Sequence, residues 1–420
     1  MKVRLRLLEQ ALKIDLVYLI KGNFWLSAGR AIGIGSGILL TYAFANLLPA
    51  EKFGAYKYVL SIYTIISSFS LLGIGAVVIN SAARGQDGIL RPAIKKSLLW
   101  SIPGSLAALA IGAYYLIQGN FTLGISLFVV AVTNPLLNSL GNYKPFLQGK
   151  KDFRTAAIFG IPRTMIPVLS IIICLLFTES VVIIVSVYFL TNTLSTIFIY
   201  WLISRKYKIG EAPETDIRPS MSFARHSSLL GFISSVPSQI DQLLLWHFAT
   251  PAQLALYAFA VAPVREMRNL AENLFPLITP KFAVRSYEEV KSNLPLRIKQ
   301  LFLTITPLTA IYILLAPFIF KIFFPQYMEA VLFSQIFALS LLFQPRNLFE
   351  ALLIAHERVK ERYIATGISH AVRIALFVAL IPTYSIIGAI ASNLIADLLN
   401  FLILGRLITR GRGAVRTDQS

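Results

Sequence analysis

The chain has 420 residues, of which 56% are hydrophobic and 14% are charged, and its formal net charge is +19. This composition excludes an ordinary soluble protein and a disordered chain. The positive charge would indicate nucleic acid binding in a soluble protein, but the basic residues lie mostly between apolar runs, so we expect no nucleic acid partner.

Apolar runs of about 20 residues recur along the whole chain, and a helix needs this length to cross the hydrocarbon of a bilayer. The sequence therefore predicts an all-α integral membrane protein with about twelve transmembrane helices. We place the spans at residues 24–48, 57–79, 98–117, 121–141, 155–177, 180–203, 222–248, 253–278, 299–324, 329–355, 363–381 and 386–408.

The distribution of basic residues predicts the orientation of the chain. An even number of spans puts both termini on the same side of the membrane. Most of the 39 Lys and Arg residues fall near the termini and in the loops that follow the even-numbered spans. Because such residues concentrate in short cytoplasmic loops, we predict that both termini are cytoplasmic.

Two short segments, half a chain apart, are alike. Residues 49–56 begin with Pro-Ala-Glu and end with Tyr, and residues 251–257 begin with Pro-Ala-Gln and end with Tyr. Arg163 in the fifth span likewise matches Arg373 in the eleventh. Six spans separate each pair, which predicts two parallel six-helix halves around a central cavity. We place an N-terminal half at 1–203, a cytoplasmic linker at 204–221 and a C-terminal half at 222–420.

The same segments carry a resemblance to a known family. Residues 47–56 read Leu-Leu-Pro-Ala-Glu-Lys-Phe-Gly-Ala-Tyr and precede a Gly-rich span that ends at Arg84, and in the second half Asp241 precedes an apolar run and Tyr257. This pattern resembles the polysaccharide or O-antigen (Wzx-type) flippases. Those proteins belong to the multidrug/oligosaccharidyl-lipid/polysaccharide (MOP) exporter superfamily.

The resemblance implies a multi-pass transporter of the bacterial inner (plasma) membrane, not an enzyme, without catalytic residues, cofactor or metal. It implies that the protein moves an undecaprenyl-pyrophosphate-linked oligosaccharide from the cytoplasmic to the outer leaflet by alternating access, for cell-surface polysaccharide biosynthesis. The partners implied are the lipid-linked oligosaccharide, the lipid bilayer, a coupling cation (sodium or proton) and other polysaccharide-assembly membrane proteins.

Charged residues inside the predicted spans are candidates for the substrate site. An Arg or Asp at the centre of a transmembrane helix opposes insertion by roughly 2.5–3.5 kcal/mol, so such residues are expected to face a watery cavity or each other. Arg suits phosphate oxygens because its planar guanidinium presents several donors. We predict that the substrate-binding residues are Arg30, Arg163, Arg265, Arg268 and Arg373.

Structural ion pairs are the alternative interpretation of these charges. Arg346 and Glu350 stand four residues apart on one helical face, and Arg268 and Glu272 have the same spacing. Arg265 has no obvious partner on its own face. Both interpretations stay open for the paired arginines.

Two acidic residues are candidates for cation coupling. Asp241 and Asp397 lie inside predicted spans of the second half. Resemblance to sodium-coupled members of the superfamily implies that these two residues form part of a cation site.

The first span has a stripe of small residues. Gly29, Gly33 and Gly37 recur every four residues and share one helical face. This spacing indicates close helix packing, and it also allows bending of the span during transport.

Two other functions remain as alternatives. A drug or cation exporter of the same superfamily would favour a cavity dominated by acidic residues. A membrane glycosyltransferase or polymerase would require an Asp-x-Asp metal motif or a long external loop, whereas the outer loops predicted here are short.

Overall fold

The computed structural model describes residues 16–209, 216–272, 278–356 and 358–410. The first part of the chain contains the helices α1 Leu16–Leu47, α2 Ala50–Ser67, α3 Ile74–Ala83, α4 Leu90–Ile117, α5 Phe121–Leu140, α6 Tyr143–Gly149, α7 Phe153–Phe177 and α8 Val181–Lys206. The second part contains α9 Arg218–Ser235, α10 Ile240–Phe248, α11 Pro251–Glu272, α12 Thr279–Ala283, α13 Tyr287–Phe323, α14 Ala330–Ala338, α15 Arg346–Ala355 and α16 Val359–Arg410.

The helices carry their apolar side chains on the outside as well as on the inside. Within the described residues, 7 helical segments are long and apolar enough to cross a membrane. Large apolar side chains on them are exposed, such as Val132 at 70% and Leu314 at 72%. Lipid, not water, is the solvent that suits such a surface. The prediction of an all-α integral membrane protein is confirmed.

The predicted span 57–79 is not one continuous helix. α2 ends at Ser67, a turn follows, and α3 begins at Ile74. The turn is rich in serines that bond to the backbone: the hydroxyls of Ser67 and Ser68 donate to the carbonyls of Thr64 and Ile65 at 2.9 and 2.5 Å. Such bonds compete with the helical pattern, and the break falls where they occur.

Three other breaks lie near prolines. Pro237 separates α9 from α10, and Pro345 precedes α15. Pro lacks a backbone N–H and interrupts the helical ladder. In α16 the break is at Ser385, whose φ of 47° and ψ of −122° are non-helical, three residues after Pro382. This break falls between the predicted spans 363–381 and 386–408.

The chain divides into two compact units. Unit 1 contains Val59–Val236 together with the described residues up to Pro49, and unit 2 contains Ala50–Tyr58 and the described residues from Pro237 onward. The first half of α2 therefore belongs to unit 2, although it precedes most of unit 1 in sequence. The predicted halves 1–203 and 222–420 stay a prediction.

Each unit has an apolar core of its own. In unit 1, α3 and α6 contribute fully buried side chains, among them Val78, Phe146 and Leu147. In unit 2, the core includes Phe282 and Leu352. Burial of apolar side chains at these positions stabilises each unit.

The glycine face of α1 differs from expectation. An added Cβ at Gly29, Gly33 or Gly37 would meet no heavy atom within 4 Å in the part of the chain that the structure describes. The close packing predicted for this face is wrong there. Tight packing occurs at Gly104 in α4 instead, where an added Cβ would lie 2.6 Å from the carbonyl oxygen of Ile66.

Candidate functional site

Three arginines of unit 2 converge on a single carboxylate. Asp397 is fully buried, with 0% of its surface exposed. Its Oδ1 accepts from Arg346 Nη1 at 2.5 Å and from Arg373 Nη2 at 2.6 Å. Its Oδ2 accepts from Arg268 Nη2. We call these four residues the arginine cluster.

The break in α16 builds this cluster. Arg373 and Asp397 are 24 residues apart, and a continuous helix would separate their backbones by about 36 Å. Because the helix breaks at Ser385, the two parts of α16 lie against each other and the side chains meet. α11 and α15 supply Arg268 and Arg346.

The cluster has hydrogen-bond donors that it does not use. The Nε atoms of Arg268, Arg346 and Arg373 are buried, and none has a hydrogen-bond partner among the described residues. Three guanidinium groups face one carboxylate, while Glu350 and Glu272 act on Arg346 at longer range. Buried donors without partners are costly, and they are suited to an anionic ligand with several oxygens.

A second ion pair lies in unit 2. Asp241 is 2% exposed, and its Oδ2 accepts from Arg265 Nη2 at 2.9 Å and from the Tyr257 hydroxyl at 2.5 Å. Asn393 donates to the same hydroxyl at 3.3 Å. These contacts place Arg265 against an acidic residue of another helix, α10. We call this the Asp241–Arg265 pair.

Unit 1 contains a cavity of about 340 Å³. Two cationic side chains, Arg163 and Lys144, line it, and none of its described lining residues is acidic. Arg163 donates from Nε to the Thr196 hydroxyl at 3.2 Å. The other polar lining includes Tyr63, Ser70, Ser97, Asn138, Asn142, Tyr188 and Asn192. We call this the unit 1 cavity.

The predicted site residues fall into separate groups. Arg268 and Arg373 belong to the arginine cluster, Arg265 is paired with Asp241, and Arg163 lines the unit 1 cavity. Arg30 lies in α1, and its side chain is outside the described part of the chain. The substrate-binding role of all five arginines stays a prediction.

The two acidic candidates are engaged by arginines. Asp241 bonds to Arg265, and Asp397 bonds to three arginines. The cation-coupling role of these carboxylates stays a prediction, and a cation would have to compete with the guanidinium groups for their oxygens.

Two members of these sites are absent from the ligand-binding residues that the sequence predicts. Helical spacing pairs Arg346 with Glu350, but Arg346 bonds to Asp397 of α16. Arg346 and Asp397 both lie inside predicted spans, and this is the feature of the sequence that could have indicated their contact. Lys144 lies in the short helix α6, just beyond a predicted span, and its sequence position alone indicates a loop residue.

The fold is that of the MOP superfamily transporters. An inward-facing multidrug resistance MATE family transporter of that superfamily aligns with a TM-score of 0.65 at 15% identity, over 89% of this chain and 94% of its own. A MOP superfamily transporter from Pyrococcus furiosus aligns with a TM-score of 0.61 at 14% identity, over 93% and 95%. The lipid II flippase MurJ in an inward closed conformation aligns with a TM-score of 0.60 at 17% identity, over 93% and 87%.

Family membership follows from the sequence itself. Residues 19–271 match the family described as polysaccharide biosynthesis protein, which is more than half of the 420 residues. The chain belongs to this family. No curated protein matches it. The match confirms the resemblance noted from the sequence at the level of the polysaccharide biosynthesis family, and the fold agrees with that of MOP superfamily transporters.

Proposed function

We propose that the protein is a flippase that moves an oligosaccharide linked to undecaprenyl pyrophosphate from the cytoplasmic to the outer leaflet. It works by alternating access, without covalent chemistry, and serves the biosynthesis of a cell-surface polysaccharide such as O-antigen. Membership of the polysaccharide biosynthesis family supports this proposal, and so does a fold similar to that of a lipid II flippase.

The observation that carries the proposal is the set of unused arginine donors in the arginine cluster. The Nε groups of Arg268, Arg346 and Arg373 are buried without a described partner in helices that sequence analysis places in the membrane. Charges in that position are costly and mark substrate pathways. A diphosphate offers several anionic oxygens to such a group of guanidiniums.

The unit 1 cavity supports a glycan cargo. Its cations, Arg163 and Lys144, stand beside tyrosine rings and asparagine amides, among them Tyr188 and Asn192. Amides and hydroxyls are suited to sugar hydroxyls, and the cations to phosphates or acidic sugars. A drug or cation exporter would favour acidic lining residues instead, and the described lining has none.

The remaining parts of the proposal concern orientation and coupling. Both termini are cytoplasmic, in the inner membrane of a bacterium, and the cargo enters from that side. A coupling cation, sodium or proton, acts at Asp241 or Asp397, where it must displace an arginine from the carboxylate. Other polysaccharide-assembly membrane proteins supply and receive the cargo.

Glycan export in cells that lack the native gene tests the proposal. We expect Arg163→Ala to reduce export, normalised to the amount of protein in the membrane, by about tenfold or more, because a phosphate contact is worth at least about 1.4 kcal/mol. Arg163→Lys should restore only part of the export, since Lys keeps the charge but loses the planar fork.

The matched control is Arg154→Ala. Arg154 lies at the start of the same helix and is exposed, so its replacement should leave export and abundance unchanged. Wild-type export by Arg163→Ala at normal abundance would remove the unit 1 cavity from the transport pathway.

A further inference from the structure

The arginine cluster contains its own counter-ion. We propose that Asp397 is a specificity-determining residue, which occupies the anion site when no cargo is present and which the diphosphate of the cargo displaces. This inference rests on the proposed function, because it assumes that the arginines bind an anionic group of the cargo.

The first support is the way in which the carboxylate is shared. A single Asp397 serves arginines from α11, α15 and α16, each through one η nitrogen. Arg binds a carboxylate most strongly when two of its N–H groups engage the two oxygens in parallel. In this cluster the two oxygens are divided among three partners, so the Nε groups are left unused. The pairing therefore leaves the arginines available for a ligand with more oxygens.

The second support is the cost of an empty site. Several arginines without a counter-ion in the membrane interior would strongly oppose folding. A resident carboxylate removes part of this cost in the state without cargo. It also weakens binding of the cargo, because the ligand must replace an existing ion pair. A flippase has to release its cargo in the other leaflet, and moderate affinity serves that release.

The chemistry of exchange predicts which anions can enter. A monoanion such as acetate offers two oxygens and one charge, as Asp397 already does, so it gains little by replacing the tethered group. A diphosphate carries two charged groups and more acceptor oxygens, and it can reach the unused Nε donors while it holds the η nitrogens. Asp397 thus selects for the diphosphate against smaller anions.

Binding of inorganic pyrophosphate to the purified full-length protein in lipid nanodiscs tests the inference. Asp397→Asn keeps the shape of the side chain and removes its charge. We expect it to bind pyrophosphate about tenfold more tightly than the wild-type protein. The matched control is Asp87→Asn, the same change at a carboxylate that bonds to Lys150 at 2.9 Å outside the site, and it should bind as the wild type does.

A rescue experiment separates competition from a change of fold. In Asp397→Ala, added acetate should occupy the vacated place and weaken pyrophosphate binding. In the wild-type protein the same acetate should have no effect, because the tethered carboxylate already fills the site. If acetate weakens binding equally in both proteins, it acts by general screening, and the inference is wrong.

A double variant covers the case in which Asp397→Asn does not accumulate. Asp397→Asn combined with Arg373→Gln removes one charge of each sign, and this limits the destabilisation that an unpaired buried charge causes. We expect the double variant to bind pyrophosphate more tightly than Arg373→Gln alone. Equal or weaker binding would contradict the inference.

The outcomes distinguish this inference from the proposed function. If the wild-type protein binds pyrophosphate and the removal of Asp397 leaves the affinity unchanged or weaker, Asp397 is not a competitor, while the anion site stands. If neither the wild-type protein nor any variant binds pyrophosphate, both proposals lose their anion site.

Discussion

Arg163 in unit 1 and Arg373 in unit 2 stand at matching positions of the two predicted halves, yet their surroundings differ. Arg163 donates to the hydroxyl of Thr196 at 3.2 Å and lines a cavity. Across the described residues no carboxylate pairs with it. Arg373 donates to the buried Asp397 at 2.6 Å, and its Nε is buried without a described partner.

The difference shows two ways to keep an arginine inside a membrane protein. A guanidinium beside a cavity can be hydrated, so it needs no acidic partner. A guanidinium packed among helices needs a counter-ion, and removal of that counter-ion is expensive. The first arrangement leaves the cation ready for a ligand, whereas in the second a ligand must exchange with a protein group.

We expect the largest change in stability at the Asp241–Arg265 pair, in which, as in the arginine cluster, an arginine bonds to a buried carboxylate. Arg265→Leu leaves Asp241, which is 2% exposed, without the arginine that hydrogen-bonds to it at 2.9 Å. We expect a loss of about 3 kcal/mol in stability, measured as lower abundance and a lower thermal unfolding temperature in detergent. Replacing both residues by Leu should restore most of the loss, because the buried carboxylate is then removed together with the arginine that bonds to it.

Arg163→Leu is the control for that comparison. Its removal leaves no buried carboxylate unpaired, and we expect a change of less than about 1 kcal/mol. Equal losses of stability for Arg163→Leu and Arg265→Leu would contradict the comparison, because a buried carboxylate partner would then not make the loss of an arginine more costly.

A smaller effect is expected when unit 1 is given the arrangement of unit 2. Thr196→Asp places a carboxylate next to Arg163, at the position whose hydroxyl accepts its Nε–H. The new pair should keep the protein folded and occupy the guanidinium, so that glycan export falls by about tenfold at normal abundance. Thr196→Asn, which is neutral and of similar size, should retain more export. Equal export by the two variants would mean that transport does not depend on whether a carboxylate occupies the guanidinium of Arg163.

Composition and local patterns predicted the fold class and the family. Apolar runs of membrane-spanning length predicted the all-α membrane architecture, and the motif at residues 47–56 predicted the MOP superfamily. These features depend on neighbours in sequence, which a single chain reveals. The helix break after Ser67 was missed because serines are common in transmembrane helices and their backbone bonds become evident only in the structure.

The partners of the buried charges could not be predicted in the same way. Helical spacing suggested Glu350 for Arg346, whereas the bond is to Asp397, and Arg268 reaches that same carboxylate from 129 residues away. Such contacts depend on the break at Ser385 and on the packing of α11 and α15 against α16. Periodicity within one helix contains no information about them.

The smallest effect concerns a carboxylate at the end of a span in unit 1. Asp152 caps α7: it accepts from the Thr155 amide at 3.0 Å, from the Tyr207 hydroxyl at 2.6 Å and from Lys206 Nζ at 2.8 Å. Burial alone would raise the pKa of Asp152, but the hydrogen bonds from Lys206, Thr155 and Tyr207 outweigh it and hold the pKa below its ordinary value. For Tyr207, burial and the bond to Asp152 raise the pKa, so the hydroxyl stays a donor.

The lowered pKa of Asp152 fixes the sign of a pH effect. The ordinary pKa of Asp is about 4, and a folded-state pKa below it means that the unfolded chain binds the proton more readily. The stability that Asp152 contributes is therefore fully present above about pH 4 and is lost as the pH falls below it.

We expect Asp152→Asn to cost about 1 kcal/mol at neutral pH, as the loss of an N-cap does, and to lose less further stability than the wild type on acidification. Thermal unfolding in detergent between about pH 3 and pH 7 measures this, with Asp216→Asn, at a carboxylate that is 64% exposed, as the control that should follow the wild type. If Asp152→Asn keeps the acid dependence of the wild type, the ionised carboxylate of Asp152 does not contribute to stability through its contacts with the end of α8.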